Sequence, residues 1–319
     1  STDRVALLNV AKLLSKHGRA EEAIPVFEQL VTLDENNPDV YAAYGTALQT
    51  TGRDAEAIPK LRKAVTMKPD YPNTHNSLGA ALAKQGKFQE AIHEFQIALK
   101  QNPDHASAYN NLGCVLQQLG RFREAAVQHR KSLKIDPENA NAAMNLGKAL
   151  SLLGLTAEAA AQYQAALATS PDDLALRRKA VKQLVADGND EAALVHLLAV
   201  LDQRSDDLAT HIQVGDLFLR RGQMDQALRQ REKAFQLKED SLENINNLAW
   251  LLATHPREKS RDGKRALSLA TQAARMTDYK NAGVLDTLAA AYAEQGNFGQ
   301  AVRWQNEAVE LVSAAEKPL

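Results

Sequence analysis

From residue 73 to residue 182 the chain places asparagines, then cations, at recurring intervals: Asn73, Asn76, Asn110, Asn111, Asn141 and Asn145, followed by Lys148, Arg178, Lys179 and Lys182. A carboxamide donates and accepts hydrogen bonds at once, so a row of them suits a sequence-tolerant grip on a peptide backbone. Lysine and arginine at the end of the row add a place for a carboxylate or phosphate. After Arg178, Lys179 and Lys182 no acidic residue follows until Asp187. This chemistry is recognition rather than bond making.

Residues suited to covalent or metal chemistry are not arranged for it. The eight histidines, from His17 to His255, are scattered, and none stands in H-E-x-x-H or a comparable ligand spacing. Cys114 is the single cysteine, which excludes a disulfide within the chain and any multi-cysteine metal site. No His or Asp recurs at a spacing that would activate its thiolate, so it reads as a small groove residue and a labelling handle. There is no phosphate loop, nucleophile elbow or dinucleotide fingerprint. Glutamates cluster in turns such as A-E-E-A and R-E-A, where they favour helix starts. No catalytic residue, metal or cofactor is expected.

The elements that position these residues follow from a period. G-R-A-E-E-A at Gly18, G-R-D-A-E-A at Gly52, G-K-F-Q-E-A at Gly86 and G-R-F-R-E-A at Gly120 recur every 34 residues, the mark of stacked helix pairs. With a small residue at position 8, nine units begin at residues 4, 38, 72, 106, 140, 174, 208, 242 and 282, and the array spans 4–315 as one solenoid with a tail at 316–319. Position 8 holds Ala11, Gly45, Gly79, Gly113 and Gly147, and position 20 is mostly Ala, so the two helices can approach closely. Leu61, Phe95 and Tyr163 at position 24 supply bulk; His129 shares that position, while His75 and His211 take position 4, so these histidines are expected to pack. Pro69, Pro103, Pro137 and Pro171 close the second helices.

This constellation, best seen in Y-N-N-L-G-C-V-L-Q-Q-L-G-R-F-R-E-A, resembles the tetratricopeptide repeat family over nearly the whole chain. The resemblance implies an all-α superhelix of about nine helix-turn-helix repeats, with first helices lining a concave groove. At about 100° per residue, positions 4, 7, 8 and 11 pack, whereas positions 2, 5, 6, 9, 12 and 13 face the groove. That assignment puts Asn76, Asn110, Asn111, Asn145, Lys148, Arg178, Lys179 and Lys182 in the groove, with Trp250 at position 9 of the eighth repeat. The asparagines have two uses there: to bond adjacent helices of the array, or to hold a peptide. Trp250 is either a binding anchor or a packing residue, and Trp304 has the same two readings. The order of clamp residues in chaperone-binding members of the family is not reproduced.

Two repeats depart from the pattern. The sixth, 174–207, lacks the position-8 glycine and the closing proline, and its turn G-N-D-E-A reads as one residue short. The eighth, 242–281, carries T-H-P-R-E-K-S-R-D-G-K, an insertion of about five residues that is either a tolerated loop or a bend or contact loop. After the last helix no polar cap follows, which predicts a sticky end able to pair with a second copy.

The expected function is a non-enzymatic scaffold that holds a protein or peptide ligand, with an anionic group toward the basic end. The alternative is the substrate-recognition arm of a larger enzyme such as a glycosyltransferase. A net charge of −1 offers no overall field for nucleic acid, and no apolar run approaches membrane-spanning length. A soluble segment in cytoplasm or periplasm, trimmed from or processed out of a larger parent, is the expectation for Ser1 in place of an initiator Met.

Overall fold

Every glycine of the recurring turn, from Gly18 to Gly296, adopts positive φ between 69° and 78° in the computed structural model, which describes residues 2–315. That left-handed step ends the first helix and aims the chain into the second. At Gly52, the Arg53 amide reaches back to the Leu48 carbonyl at 2.8 Å while the Gly52 amide bonds Gln49 at 3.0 Å, satisfying carbonyls that the helix end would otherwise leave open. The tail at 316–319 lies outside the described residues.

Helix pairs follow one another along the chain: α1 (Thr2–Lys16) and α2 (Ala20–Leu33), α3 (Pro38–Thr50) and α4 (Asp54–Met67), α5 (Pro72–Lys84) and α6 (Phe88–Gln101), α7 (Ala106–Gln118) and α8 (Phe122–Ile135), and α9 (Ala140–Leu152) and α10 (Thr156–Thr169). Next come α11 (Leu174–Ala186) and α12 (Asp190–Gln203), α13 (Leu208–Arg220) and α14 (Met224–Leu237), α15 (Leu242–Thr254) and α16 (Gly263–Met276), and α17 (Ala282–Glu294) and α18 (Phe298–Ala315). The result is an all-α solenoid of nine helix pairs among the described residues. The chain divides into two compact units, Ser1–Gln183 and Leu184–Leu319. Second helices end two residues ahead of Pro69, Pro103, Pro137 and Pro171.

In the first unit the core is built where position 8 meets position 24. A methyl group on Gly79 would lie 2.7 Å from the Phe95 ring, and one on Gly113 would lie 2.6 Å from the His129 ring, so only glycine allows this approach. Phe27, Leu61, Phe95, His129 and Tyr163 are fully buried at position 24. His75 and His211 are buried as well, and both pack as their position predicts. His75 bridges the Pro69 carbonyl at 2.9 Å and Glu94 at 2.6 Å; His211 bridges the Ser205 carbonyl at 2.9 Å and Gln230 at 2.6 Å. The same device thus ties the third and the seventh helix pairs each to the end of the one before.

The sixth repeat differs from expectation. Residues 187–189 separate α11 from α12, as 51–53 separate α3 from α4, so the turn has full length. Ala193 takes position 20 and is fully buried; the sequence G-N-D-E-A-A had simply shifted its alanine pair.

In the second unit the insertion is a contact loop. It contains a short 3-10 turn, Glu258–Ser260, and rejoins the array through the Asp262 amide on the Leu252 carbonyl at 3.0 Å. Arg257 pairs with Asp225 and Arg265 makes a bidentate bond to Glu232 at 2.7 and 2.9 Å, both carboxylates being on α14. His255 is buried, its Nδ1 accepting from the Arg257 amide at 3.1 Å.

Candidate binding groove

First helices of the first unit open clefts where the periodicity assigns the groove. One of about 290 Å³ lies among α1, α3 and α5, floored by Ala42, Ala43, Thr46 and Ser77 and flanked by Lys12 and Asp39. Another of about 440 Å³ lies between α5 and α7, lined by Ala80, Ala83, Asn111, Cys114 and Gln118. All of these occupy positions 2, 5, 6, 9, 12 or 13. Core side chains reach the same clefts, Phe27 in the first and Phe95 and Val115 in the second.

The asparagines form rungs between consecutive first helices. Asn111 Nδ2 donates to Asn76 Oδ1 at 3.0 Å, and Asn145 Nδ2 donates to Asn110 Oδ1 at 3.1 Å and to the Cys114 sulfur at 3.2 Å. Each rung runs from position 6 of one helix to position 5 of the helix before it. This bonding offsets the poor helix propensity of asparagine. It also leaves Asn76 Nδ2, Asn110 Nδ2, Asn111 Oδ1 and Asn145 Oδ1 without a partner among the described residues, half-buried in the groove wall. Donors and acceptors therefore remain in one strip.

Two supports went unread in the sequence. Gln49 Nε2 bonds the Ser77 carbonyl at 2.9 Å and Gln117 Nε2 bonds the Asn145 carbonyl at 3.0 Å, each reaching from position 12 to position 6 of the next first helix. Recurrence of Gln at position 12 was the available signal. Beneath the second rung, His129 Nδ1 lies 2.9 Å from Asn110 Oδ1. Burial pushes the His129 pKa down to about 4, so its ring is neutral at pH 7. Burial raises the pKa of the half-buried Cys114 thiol against the opposing charge of Lys148.

Lys148 is exposed on α9, one helical turn beyond Asn145, and Arg178, Lys179 and Lys182 are exposed on α11. Their neighbour Arg177 has a different part: it is buried, and its guanidinium bonds the Pro171 carbonyl at the preceding turn. Asn76 through Lys182 all belong to the first unit. Trp250 belongs to the second.

Tetratricopeptide repeat models match residues 5–37, 70–138, 110–173 and 282–312, and a TPR repeat model matches 50–86, together covering more than half of the 319 residues. The chain belongs to the tetratricopeptide repeat family. Among solved structures, the C-terminal part of a TPR repeat-containing protein from Cytophaga hutchinsonii is similar at 16% identity and a TM-score of 0.59, covering 76% of this chain and 99% of that one. Pseudomonas aeruginosa pilF is similar at 17% identity and a TM-score of 0.55, covering 68% and 97%. A tetratricopeptide repeat protein from Parabacteroides merdae is similar at 15% identity and a TM-score of 0.54, covering 78% and 98%. A comparison with curated proteins found no match.

As a tetratricopeptide repeat protein the chain is a protein-binding scaffold in fold. Among the described residues no group of three or more His, Cys, Asp or Glu side chains is placed to hold a metal ion, and no helix is long and apolar enough to cross a membrane. In the second unit Trp250 is 40% exposed at position 9 of α15, so its ring is not packed away. The equivalent positions of that unit also hold Asp216, Glu243 and Asp286, of which Asp216 is paired with the buried guanidinium of Arg231. Trp304 is different: it stacks on Tyr279 with ring centroids 5.3 Å apart and packs onto the core of the second unit.

Proposed function

We propose that the first unit of this tetratricopeptide repeat scaffold holds an extended segment of a partner protein along α5, α7, α9 and α11, with the anionic end of that segment toward α11. The observation that carries this reading is the strip of unpartnered carboxamide atoms beside the Asn76–Asn111 and Asn110–Asn145 rungs; Lys148 stands one turn beyond Asn145, and the repeat period assigns Arg178, Lys179 and Lys182 to the same face. Carboxamides already fixed by one bond lose little freedom on making a second, so they present a preorganised row to a peptide backbone. The cations then add charge-assisted contacts to a carboxylate or phosphate.

A fluorescent peptide of extended neutral sequence ending in a run of glutamates tests this by anisotropy. Replacing Lys148, Arg178, Lys179 and Lys182 with Ala weakens its binding by roughly ten- to a hundredfold and flattens the salt dependence, while a glutamine-ended peptide binds both proteins alike. Equal affinity and salt dependence for the two proteins with the glutamate-ended peptide refutes the basic end of the groove. Self-association through the last helix is a second property, supported by the exposed apolar residues Phe298, Val302, Val309 and Val312 on α18.

A further inference from the structure

Position 24 of the first unit is filled by side chains that only pack at Phe27, Leu61 and Phe95, but by an imidazole at His129. Gly113 opposite it is a window: a methyl group there would lie 2.6 Å from Cε1 and 2.8 Å from each ring nitrogen. The nitrogen edge of the ring therefore faces α7 and reaches a carboxamide on either side of that glycine. Nδ1 lies 2.9 Å from Asn110 Oδ1, and Nε2 lies 3.4 Å from Gln117 Oε1. A neutral imidazole carries one N–H and one lone pair, and burial keeps this ring neutral at pH 7. Two oxygens thus face a ring that donates to only one of them.

Gln117 cannot yield. Its Nε2 donates to the Asn145 carbonyl at 3.0 Å, which only accepts, so turning this carboxamide would set oxygen against oxygen. Asn110 can turn if Asn145 turns with it, because Asn145 Nδ2 donates to Asn110 Oδ1 at 3.1 Å and to the Cys114 sulfur at 3.2 Å. A thiol donates as well as accepts, and burial holds the proton on this one. The row consequently has two arrangements. With the proton on Nδ1, His129 and Asn145 both donate to Asn110 Oδ1, and Asn110 Nδ2 and Asn145 Oδ1 are left for the groove. With the proton on Nε2, His129 donates to Gln117 Oε1, Asn110 Nδ2 donates to Nδ1 and to Asn145 Oδ1, and the groove receives Asn110 Oδ1 and Asn145 Nδ2. The first arrangement leaves Nε2 and Gln117 Oε1 as facing acceptors, whereas the second gives every contact a donor.

We propose that the tautomer of His129 sets the polarity of the Asn110–Asn145 rung, so that α7 offers the donor and α9 the acceptor to a partner's backbone in one state, and the reverse in the other. His129 is a positioning residue, fully buried behind the carboxamides and acting through Asn110. Passing between the states moves one proton from Nδ1 to Nε2 by way of water and leaves the charge unchanged. The inference rests on the groove reading above and deepens it: a backbone presents N–H and C=O in alternation, and a rung of reversible polarity meets them in either order. Behind Asn76 the equivalent residue is Phe95, which has no proton to place.

Nitrogen-15 NMR on the whole chain, with histidine labelled at both ring nitrogens, tests this, because the protonated nitrogen is shielded relative to the bare one. Gln117→Leu removes the acceptor of Nε2–H and would leave that donor buried and unpaired, so the proton is expected on Nδ1. Asn145→Asp acts two hydrogen bonds away from the ring: it leaves only acceptors at the far end of the row, Asn110 must donate toward it, and the proton is expected on Nε2. Circular dichroism checks that both variants fold; Asn145→Leu, which lets Gln117 alone decide, replaces the aspartate should it not, with the same tautomer expected. Opposite tautomers in the two variants support the proposal, and one tautomer in both overturns it. Adding the glutamate-ended peptide to wild type is expected to pin one polarity, shifting the His129 nitrogens together with the Asn110 and Asn145 side-chain amides. A peptide that binds and leaves those signals in place overturns the groove reading at this rung, while the tautomers of the variants, measured without peptide, decide the coupling separately.

Discussion

Replacing His129 by Phe separates the two duties of this residue, filling position 24 against Gly113 and keeping a neutral ring beneath the Asn110–Asn145 rung. Phenylalanine is the residue that fills the same place against Gly79, so the substitution preserves the packing while removing the titrating group. Burial lowers the His129 pKa from 6.5 to about 4 in the folded chain. The unfolded chain therefore takes up the proton first as pH falls: this group's stability term is fully present above about 6.5, is lost progressively on the way down, and changes no further below about 4. At ~1.4 kcal/mol for each tenfold change in proton affinity, the difference amounts to about 3 kcal/mol. Urea midpoints followed by circular dichroism at pH 7 and pH 4 measure it. Both proteins lose whatever the carboxylates lose, so the wild type is expected to fall further than H129F by that amount. Parallel losses in the two proteins refute the claim that His129 is held neutral by burial.

His75 predicts the opposite slope. Burial works against its charged form, but the bond to Glu94, the Pro69 carbonyl and the Glu94 charge outweigh it and raise its pKa above the ordinary value. Its contribution is complete below the unfolded-state pKa of ~6.5 and lost as pH rises through the folded value, so the thermal midpoint of wild type falls over that interval more than that of His75→Gln. Identical profiles would remove the charged latch. Gly79→Ala places a methyl group 2.7 Å from the fully buried Phe95 ring, and overpacking of ~1–3 kcal/mol should exceed the ~1 kcal/mol gained in helix propensity. A thermal midpoint equal to or above wild type would show that the helix pair relaxes freely at position 8.

Particular residues show where sequence reasoning reached and where it stopped. Gly52 and its equivalents fixed the turn, because only a left-handed residue ends one helix and starts the next at that spacing. The packing role of His129 was legible from its place opposite Gly113. The rungs were legible only as one of two uses of asparagine, since a helical period assigns a side chain to a face without saying what it touches there. The length of the sixth turn was misjudged for a related reason: A-A at 192 and 193 offers two alignments, and burial of Ala193 selects one.

The sequence by itself determined the helix pairs and their close-packed faces, both of which are local and periodic. Tertiary structure alone decided that Asn76 and Asn110 accept from the next first helix at 3.0 and 3.1 Å, that Gln49 and Gln117 brace the array, and that the insertion locks onto Asp225 through Arg257. These contacts join residues about one repeat apart, and a period states only that such residues are equivalent; distance and direction between them arise when the helices pack.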